Sequence, residues 1–209
     1  MGVYGDRVLP HLLDACGSLK AVEPLRKRVC EQLHGHVLEL GFGSGLNLPH
    51  YPAAVTAVEA VEPSDVGWKI AGRRRAAARI PVRRSALDGQ SLPFPDHSVD
   101  AALTTFTLCT IPDPSAALRE VRRVLRPGGT LHFLEHGLAP DEDVRRWQRR
   151  LEPLQKRVFG GCHLTRPVVD LLTTAGFTVT DLDTFYEKGA PKAVGAYSLG
   201  IAVPTLNAG

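Results

Sequence analysis

The chain has 209 residues, of which 44% are hydrophobic and 22% charged, and its formal net charge is +3. These proportions are typical of a globular domain and exclude disordered and collagen-like chains. No apolar run reaches the ~20 residues of a membrane-spanning helix. The N-terminus does not have the pattern of a secretory signal, so we expect a cytoplasmic protein. The arginines are spread over helix-like segments, so we expect no nucleic-acid partner.

Apolar residues at helical spacing predict helices within residues 6–33, and from residue 36 strands and helices alternate. This alternation predicts a parallel sheet with helices on both faces. The predicted strands cover residues 36–41, 54–61, 82–85, 99–108 and 130–136, and the predicted helices between them cover residues 64–80 and 114–125.

Two further helices are predicted over residues 141–159 and 165–175, and two strands over 177–186 and 193–203 form a hairpin at the sheet edge. No linker or repeat divides the chain, so we predict a single domain over residues 1–209. Its three parts are a helical cap (1–35), a cofactor-binding core (36–136), and a segment with substrate-side helices and the closing hairpin (137–209).

A glycine loop, Gly41-Phe-Gly43-Ser-Gly45, follows the first predicted strand. Glycines let a backbone approach a ligand closely, and ligands of open parallel sheets bind at the carboxyl ends of the strands. Glu39 stands two residues before the loop, where a carboxylate suits a cationic ligand better than a pyrophosphate. S-adenosylmethionine carries a sulfonium and an ammonium group, so we predict it as the cofactor. The alternative role for Glu39 is a buried acid that caps loop amides.

Two acids follow the next two strands. Glu62 ends the second strand, 21 residues after Gly41, where a carboxylate accepts hydrogen bonds from ribose hydroxyls. Asp88 follows the third strand and could face an adenine amino group, with Gln90 beside it. An ordinary surface loop is the alternative for both residues.

Three segments, 37–47 (VLELGFGSGLN), 92–100 (LPFPDHSVD) and 118–129 (LREVRRVLRPGG), resemble the class I S-adenosylmethionine-dependent methyltransferases. The resemblance implies a Rossmann-like, doubly wound sheet of seven strands, mostly parallel with an antiparallel last strand. It also implies that the glycines adjoin the methionine part of the cofactor, that Glu39 supports the loop, that Glu62 binds ribose, and that Asp88 and Gln90 lie beside adenine. Further cofactor-site residues implied in this way are Thr105, Phe106 and Thr107 beneath the sulfonium, with Asn47 and Pro63.

Segments 107–111 (TLCTI), 134–136 (LEH) and 161–166 (GCHLTR) resemble, more closely, the mammalian alkyl-thiol methyltransferases. This resemblance implies a small thiol or sulfide as methyl acceptor. Unlike that family, this chain is expected to have no apolar leader, and it carries Cys162-His163 where the family pairs two cysteines. The alternatives are an amine, hydroxyl or phospholipid-headgroup methyltransferase, a nicotinamide-dependent oxidoreductase, and a non-catalytic cofactor-binding partner protein.

Methyl transfer from a sulfonium mainly requires positioning and exclusion of water, and a thiol pKa of ~8.5 needs only a modest shift. His136 and His163 are the candidates for orienting or deprotonating the acceptor; their alternative role is a loop histidine bonded to backbone. The reaction needs no covalent enzyme intermediate, so Cys109 and Cys162 are predicted as small buried side chains. Cys30, His34 and His36 fit no zinc spacing, so no metal is expected.

The acceptor side is predicted from apolar residues outside the core. On residues 141–159, Trp147, Leu151, Leu154 and Val158 recur at helical spacing and predict one apolar stripe, which either packs on the core or covers the substrate. Arginines on the opposite face could rest on an anionic membrane, so peripheral lipid contact is a further possibility. The candidate substrate-contacting residues are Tyr4, Leu12, Trp147, Phe159 and Tyr197.

Overall fold

A computed structural model describes residues 4–205 of the chain. Seven strands form one sheet in the order β3-β2-β1-β4-β5-β7-β6, which confirms the predicted seven-stranded sheet. The strands are β1 (Gly35–Leu40), β2 (Val55–Val61), β3 (Val82–Ala86), β4 (Val99–Thr105), β5 (Leu125–His136), β6 (Phe177–Tyr186) and β7 (Ala196–Pro204).

Strands β1 to β5 pair in parallel, and β7 inserts antiparallel between β5 and β6. The closing hairpin therefore forms the sheet edge, as predicted. The strand order reverses between β1 and β4, which are hydrogen-bonded neighbours in the middle of the sheet. In open parallel sheets, the crevice beyond the carboxyl ends of the strands at such a switch point is where ligands bind.

The helices are α1 (Leu9–Gly17), α2 (Glu23–Cys30), α3 (Asp65–Ile70), α4 (Gly72–Ala77), α5 (Pro114–Val124), α6 (Glu142–Val158) and α7 (Val168–Thr174); a π-helical turn (Tyr4–Val8) precedes α1. The helical segment 6–33 is interrupted after Gly17, and α2 resumes with Pro24 in its first turn. Pro is favoured there because its missing N–H would be unpaired anyway. Within residues 4–205, no helix combines the length and apolarity needed to cross a bilayer.

Several helix and strand ends differ from the sequence prediction by more than a residue or two. The strand predicted from residue 130 begins at Leu125. The helix over 64–80 is divided into α3, whose N-cap is Ser64, and α4, which begins at Gly72. The strand over 99–108 ends at Thr105, because Phe106 takes a positive φ of 53° and turns the chain out of the sheet.

The core consists of two apolar layers, one on each face of the sheet. Leu38 and Leu40 of β1 pack into one layer with α5 and α7, and Val37 packs into the other with α2 and Leu134. This alternation is the period-2 pattern of a strand buried on both faces. Both layers fix the carboxyl ends of β1, β2, β4 and β5 side by side, and this edge carries the candidate site.

Candidate functional site

The glycine loop leaves β1 at the carboxyl edge of the sheet. Gly41, Gly43 and Gly45 all have positive φ, at 74°, 56° and 75°, a conformation that costs residues with a Cβ roughly 1–2 kcal/mol. A Cβ added at Gly41 would collide with the side chain of Thr107. The loop backbone is therefore packed directly against the segment that follows β4.

Glu62, at the end of β2, holds the glycine loop in place. Its carboxylate is 5% exposed and accepts hydrogen bonds from the Gly43 N–H (2.5 Å) and the Ser64 N–H (2.7 Å). Burial raises the pKa of Glu62, and these two backbone hydrogen bonds lower it again in part. Each carboxylate oxygen keeps acceptor capacity beyond these bonds, which is what ribose hydroxyls would use. The loop-capping role considered for Glu39 is performed here by Glu62.

Glu39 is 1% exposed, and both of its oxygens accept hydrogen bonds from side chains, Asn47 Nδ2 at 2.7 Å and the Tyr51 hydroxyl at 2.6 Å. Burial raises the pKa of Glu39 to about 7, although the bonds from Tyr51 and Asn47 oppose the shift. The buried guanidinium of Arg26 donates to Asn47 Oδ1 (2.8 Å) and Thr105 Oγ1 (3.3 Å). Glu39 thus belongs to a buried network that joins α2, the glycine loop and β4.

The segment after β4 is held by a second buried acid. Glu135 is fully buried and accepts hydrogen bonds from the Thr107 N–H (2.9 Å and 3.0 Å to its two oxygens) and the Thr104 hydroxyl (2.7 Å). Burial raises the pKa of Glu135 to about 7. Phe106 stands at the turn in a strained backbone conformation, and such residues persist where the surrounding structure fixes them. Its ring centroid lies 4.9 Å from that of His136 and 5.3 Å from that of Tyr197.

We call Phe106, His136 and Tyr197 the ring cluster. Beside it, three residues from distant parts of the chain converge, one of which is again His136. Cys109 Sγ lies 3.4 Å from Cys162 Sγ and 3.9 Å from His136 Nδ1. Both cysteines are buried, as predicted, and neither forms a disulfide. The contact between the sulfurs raises the pKa of Cys109, whose burial acts in the same direction, and lowers the pKa of Cys162. We call these three residues the cysteine cluster.

The two predicted catalytic histidines lie in different surroundings. His136 ends β5 and belongs to both the ring cluster and the cysteine cluster. His163 Nδ1 lies 3.3 Å from Glu152 Oε1, and its backbone N–H donates to Cys109 O at 2.8 Å. His136 is therefore beside the segment after β4, whereas the His163 side chain is paired with an acid of α6.

The predicted adenine-side residues form a small hydrogen-bonded loop. Asp88 Oδ1 accepts from the Gln90 N–H (2.9 Å) and Gln90 Nε2 (3.0 Å), and these bonds lower the pKa of Asp88. Gln90 Oε1 accepts from the Asp113 N–H at 3.1 Å, next to the start of α5. Asp88 and Pro63 are exposed, so both could meet a ligand without rearrangement of the core.

The predicted substrate-contacting residues are distributed over the cap and α6. The Tyr4 hydroxyl donates to Val158 O at 2.6 Å, so the N-terminal segment lies on the end of α6. Leu12 and Phe159 are half-buried. Tyr197 is 8% exposed, and its ring centroid is 5.0 Å from that of His136.

The apolar stripe predicted on α6 does not pack on the core as a whole, although Leu151 does. Trp147 and Leu154 are 56% and 62% exposed, and the buried residues of the helix are Val144 and Gln148. Gln148 is buried because its amide accepts from the Ala139 N–H and donates to Gly137 O, both at 3.0 Å. A polar residue thus fixes α6 to the chain after β5, and Trp147 faces outward.

Comparisons with known proteins agree with this arrangement. A methyltransferase domain family matches residues 38–133. The thiol S-methyltransferase TMT1B of Rattus norvegicus is 36% identical over 151 residues, 70% of this chain and 62% of the relative, and TMT1B of Mus musculus is 35% identical over 178 residues, 79% of this chain and 72% of the relative. The chain therefore matches less than two thirds of the length of the rat protein.

Among solved structures, a SAM-dependent methyltransferase of Thermotoga maritima superposes with a TM-score of 0.68 at 20% identity, covering 95% of this chain and 99% of that one. This likeness concerns the fold alone, and the mouse relative supplies the match in sequence. The glycine loop, the acid at the end of β2 and the antiparallel β7 fit the same assignment. The chain belongs to the class I S-adenosylmethionine-dependent methyltransferase family.

Proposed function

We propose that the protein transfers the methyl group of S-adenosylmethionine to a small thiol or sulfide. The observation that carries the proposal is a continuous series of contacts at the sheet edge. Gly41 packs against Thr107, the neighbouring Phe106 contacts the His136 ring, and His136 adjoins Cys109. A cofactor on the glycine loop would therefore lie next to the ring cluster, where an acceptor can approach it.

The cofactor would be held as the sequence predicts. The N–H groups of the glycine loop would face its methionine part, Glu62 would accept from the ribose hydroxyls, and Asp88 with Gln90 would border the adenine. Glu39 would supply the carboxylate nearest the positive end of the cofactor. Its two oxygens already accept hydrogen bonds from Asn47 and Tyr51, so its effect on the cofactor would be indirect. No metal is needed to hold a ligand of this chemistry.

The acceptor would lie between the segment after β4 and the aromatic rings. Phe106 and Tyr197 flank His136 there and would exclude water from the reacting sulfur. Methyl transfer is an in-line displacement in which the acceptor sulfur forms the new bond to carbon and the cofactor sulfur keeps the old bonding pair. His136 could orient the acceptor or accept its proton. The names of the rat and mouse relatives support a sulfur acceptor.

The test is release of S-adenosylhomocysteine by the purified protein with S-adenosylmethionine and a panel of acceptors. The panel contains sulfide, alkyl thiols, phenols, amines and phosphatidylethanolamine vesicles. We expect turnover with the sulfur nucleophiles, rising with pH through their thiol pKa. Turnover with amines or lipid alone would contradict the thiol acceptor but not the methyltransferase reaction. Binding of the cofactor without turnover on any acceptor would contradict both.

A lipid-headgroup acceptor is the second candidate, and one observation favours it. Trp147 and Leu154 project from α6 into solvent, and the guanidinium of Arg150 lies 5.3 Å from the Trp147 ring centroid. Exposed apolar side chains among arginines are typical of helices that rest on anionic membranes. Sedimentation with phosphatidylglycerol vesicles that is lost in Trp147→Ala would support this candidate.

A further inference from the structure

We propose that the cysteine cluster is a binding site for one Zn²⁺ ion, with Cys109 Sγ, Cys162 Sγ and His136 Nδ1 as ligands and a fourth position open to the methyl acceptor. The proposed metal site is supported by the geometry of the three side chains. Its role in binding a thiol rests on the proposed function. The site differs from the sequence-based expectation of no metal, which considered only Cys30, His34 and His36.

The distances within the cluster are close to those of a tetrahedral site. The three ligand atoms all lie within 4.8 Å of one another. With Zn–S of ~2.3 Å and Zn–N of ~2.0–2.1 Å, two tetrahedral sulfur ligands are ~3.8 Å apart and a sulfur and a nitrogen ~3.5 Å. The observed separations are 3.4 Å for the two sulfurs and 3.9 Å for Cys109 Sγ and His136 Nδ1. Small side-chain rotations would therefore suffice to admit the ion.

The backbone around the cluster is already fixed. The His163 N–H donates to Cys109 O at 2.8 Å, which ties the turn after β4 to the loop after α6. Arg166 Nη1 donates to Leu108 O and, at 2.7 Å, to Ile111 O, which joins the same two segments a second time. His136 is held at the end of β5 by its ring contacts with Phe106 and Tyr197. The segments that carry the three side chains are therefore held together before any ion binds.

The ligand types favour zinc over harder cations. Thiolates and imidazole are the ligands that Zn²⁺ prefers, and zinc sites with three protein ligands keep the fourth position for an external molecule. Arg166 interacts electrostatically with both cysteine sulfurs. Two cysteine thiolates and a substrate thiolate around Zn²⁺ would carry one net negative charge, which this guanidinium would balance.

With His136 as a ligand, zinc would take the place of a histidine base and supply the thiolate that the reaction needs. An acceptor R–SH that takes the fourth position forms a Zn–S bond and releases its proton to solvent. Its sulfur then attacks the methyl carbon, the bond between that carbon and the cofactor sulfur breaks, and the electron pair stays on the cofactor. The products are R–S–CH₃ and S-adenosylhomocysteine. The thioether is a weaker ligand than a thiolate and leaves the metal.

The sequence places the cluster in the segments that distinguish this chain within its family. Cys109 lies in 107–111, His136 in 134–136 and Cys162 in 161–166, the three segments that resemble the alkyl-thiol methyltransferases. Each segment contributes one ligand atom to the cluster. The same segments that imply a thiol acceptor thus build the proposed metal site.

The first experiment titrates reduced, metal-free protein with Co²⁺, which replaces Zn²⁺ and absorbs light. We expect one Co²⁺ per chain with a thiolate-to-cobalt charge-transfer band, and displacement of Co²⁺ by Zn²⁺. Loss of a hydrogen-bond partner of a ligand alone costs about 10- to 100-fold in metal affinity. Cys109→Ser, Cys162→Ser and His136→Ala should therefore each weaken binding at least about 100-fold. Cys16→Ser, which removes the exposed free cysteine, should leave Co²⁺ binding unchanged.

Circular dichroism and affinity for S-adenosylhomocysteine show whether each variant is folded. Reduced wild-type protein that binds no Co²⁺, or a folded Cys162→Ser variant that binds it like the wild type, would overturn the site. A Co²⁺ spectrum that does not change with an added alkyl thiol would overturn the open position. Thiol methylation at full rate by zinc-free protein would overturn the role of zinc and leave the proposed function intact. Zinc binding with no thiol methylation would overturn the proposed function and the role of zinc in it, and would leave the metal site intact.

Discussion

The glycine loop and the cysteine cluster lie at the same edge of the sheet but are built in opposite ways. The loop and its partner Glu62 come from one short stretch of chain and depend on backbone conformation and backbone N–H groups. The cysteine cluster joins side chains from three segments, 53 residues apart between Cys109 and Cys162. The glycine loop is therefore specified by local sequence, whereas the cysteine cluster depends on the packing of the whole fold.

The largest effect on cofactor binding is expected from a substitution in the glycine loop. Gly41→Ala adds a Cβ at φ 74° against the Thr107 side chain, so it combines backbone strain with a collision, together about 4 kcal/mol. We expect calorimetric affinity for S-adenosylhomocysteine to be lost. Gly128→Ala is the matched control, since Gly128 has φ 81° but nothing within 4 Å of the added Cβ. Equal effects of the two substitutions would contradict the close packing of the loop on Thr107.

The next prediction concerns the pH dependence of stability. The pKa of Glu39 is raised from 4.5 to about 7 by burial, so folding disfavours its ionised form. This carboxyl group stabilises the fold fully below pH ~4.5, and that contribution is lost as pH rises through 7, about 3 kcal/mol in all. Urea unfolding at pH 5 and pH 8 should show a smaller loss of stability in Glu39→Gln than in the wild type. The exposed Glu31→Gln should reproduce the wild-type difference, and an unchanged difference in Glu39→Gln would refute the assignment.

Glu62→Ala is expected to have a smaller effect on cofactor binding, and it also leaves two backbone N–H groups of the loop region without their acceptor. Glu62→Ala removes the acceptor of the Gly43 N–H and of the predicted ribose hydrogen bonds. Cofactor affinity should fall by about 1–3 kcal/mol, or roughly 5- to 150-fold. Glu59→Ala is the control, since this acid lies on the same strand but bonds to His36 at 2.9 Å. Unchanged calorimetric affinity for S-adenosylhomocysteine in Glu62→Ala would remove Glu62 from the site.

The smallest expected effect is at the surface of α6. Trp147→Ala removes a side chain that is 56% exposed, so the free energy of unfolding should change by no more than about 0.5 kcal/mol. Val144→Ala, on the buried face of the same helix, should cost about 1–2 kcal/mol. Thermal unfolding measures both. A larger loss for Trp147→Ala would mean that the exposed face is packed in solution.

The regular pattern of the chain predicts most of the fold and, within the candidate site, the glycine loop with Glu62. Alternating strands and helices, the glycine loop and the acid 21 residues later are all visible because each depends on neighbouring residues. The roles of three other residues cannot be predicted from the sequence, because they depend on contacts between distant segments. Arg26 and Tyr51 join the Glu39 network only through tertiary packing. Gln148 is buried because backbone groups after β5 bond to it, which hydropathy does not register.

The cysteine cluster is the clearest example of a feature that the sequence alone does not reveal. Cys109, His136 and Cys162 have no short ligand spacing, and only the parallel order of β4 and β5 and the loop after α6 bring them together. A sequence motif for metal binding relies on ligands within one turn or hairpin. A site formed across a sheet edge carries no such motif.

The most direct test of the proposed thiol methylation follows the transferred methyl group itself. The protein is incubated with S-adenosylmethionine labelled with ¹³C in the methyl group and with equal amounts of an alkyl thiol and an amine of matching chain length. We expect a ¹³C-methyl thioether as the product, with S-adenosylhomocysteine formed in equal amount. A labelled N-methyl amine with no thioether would contradict it.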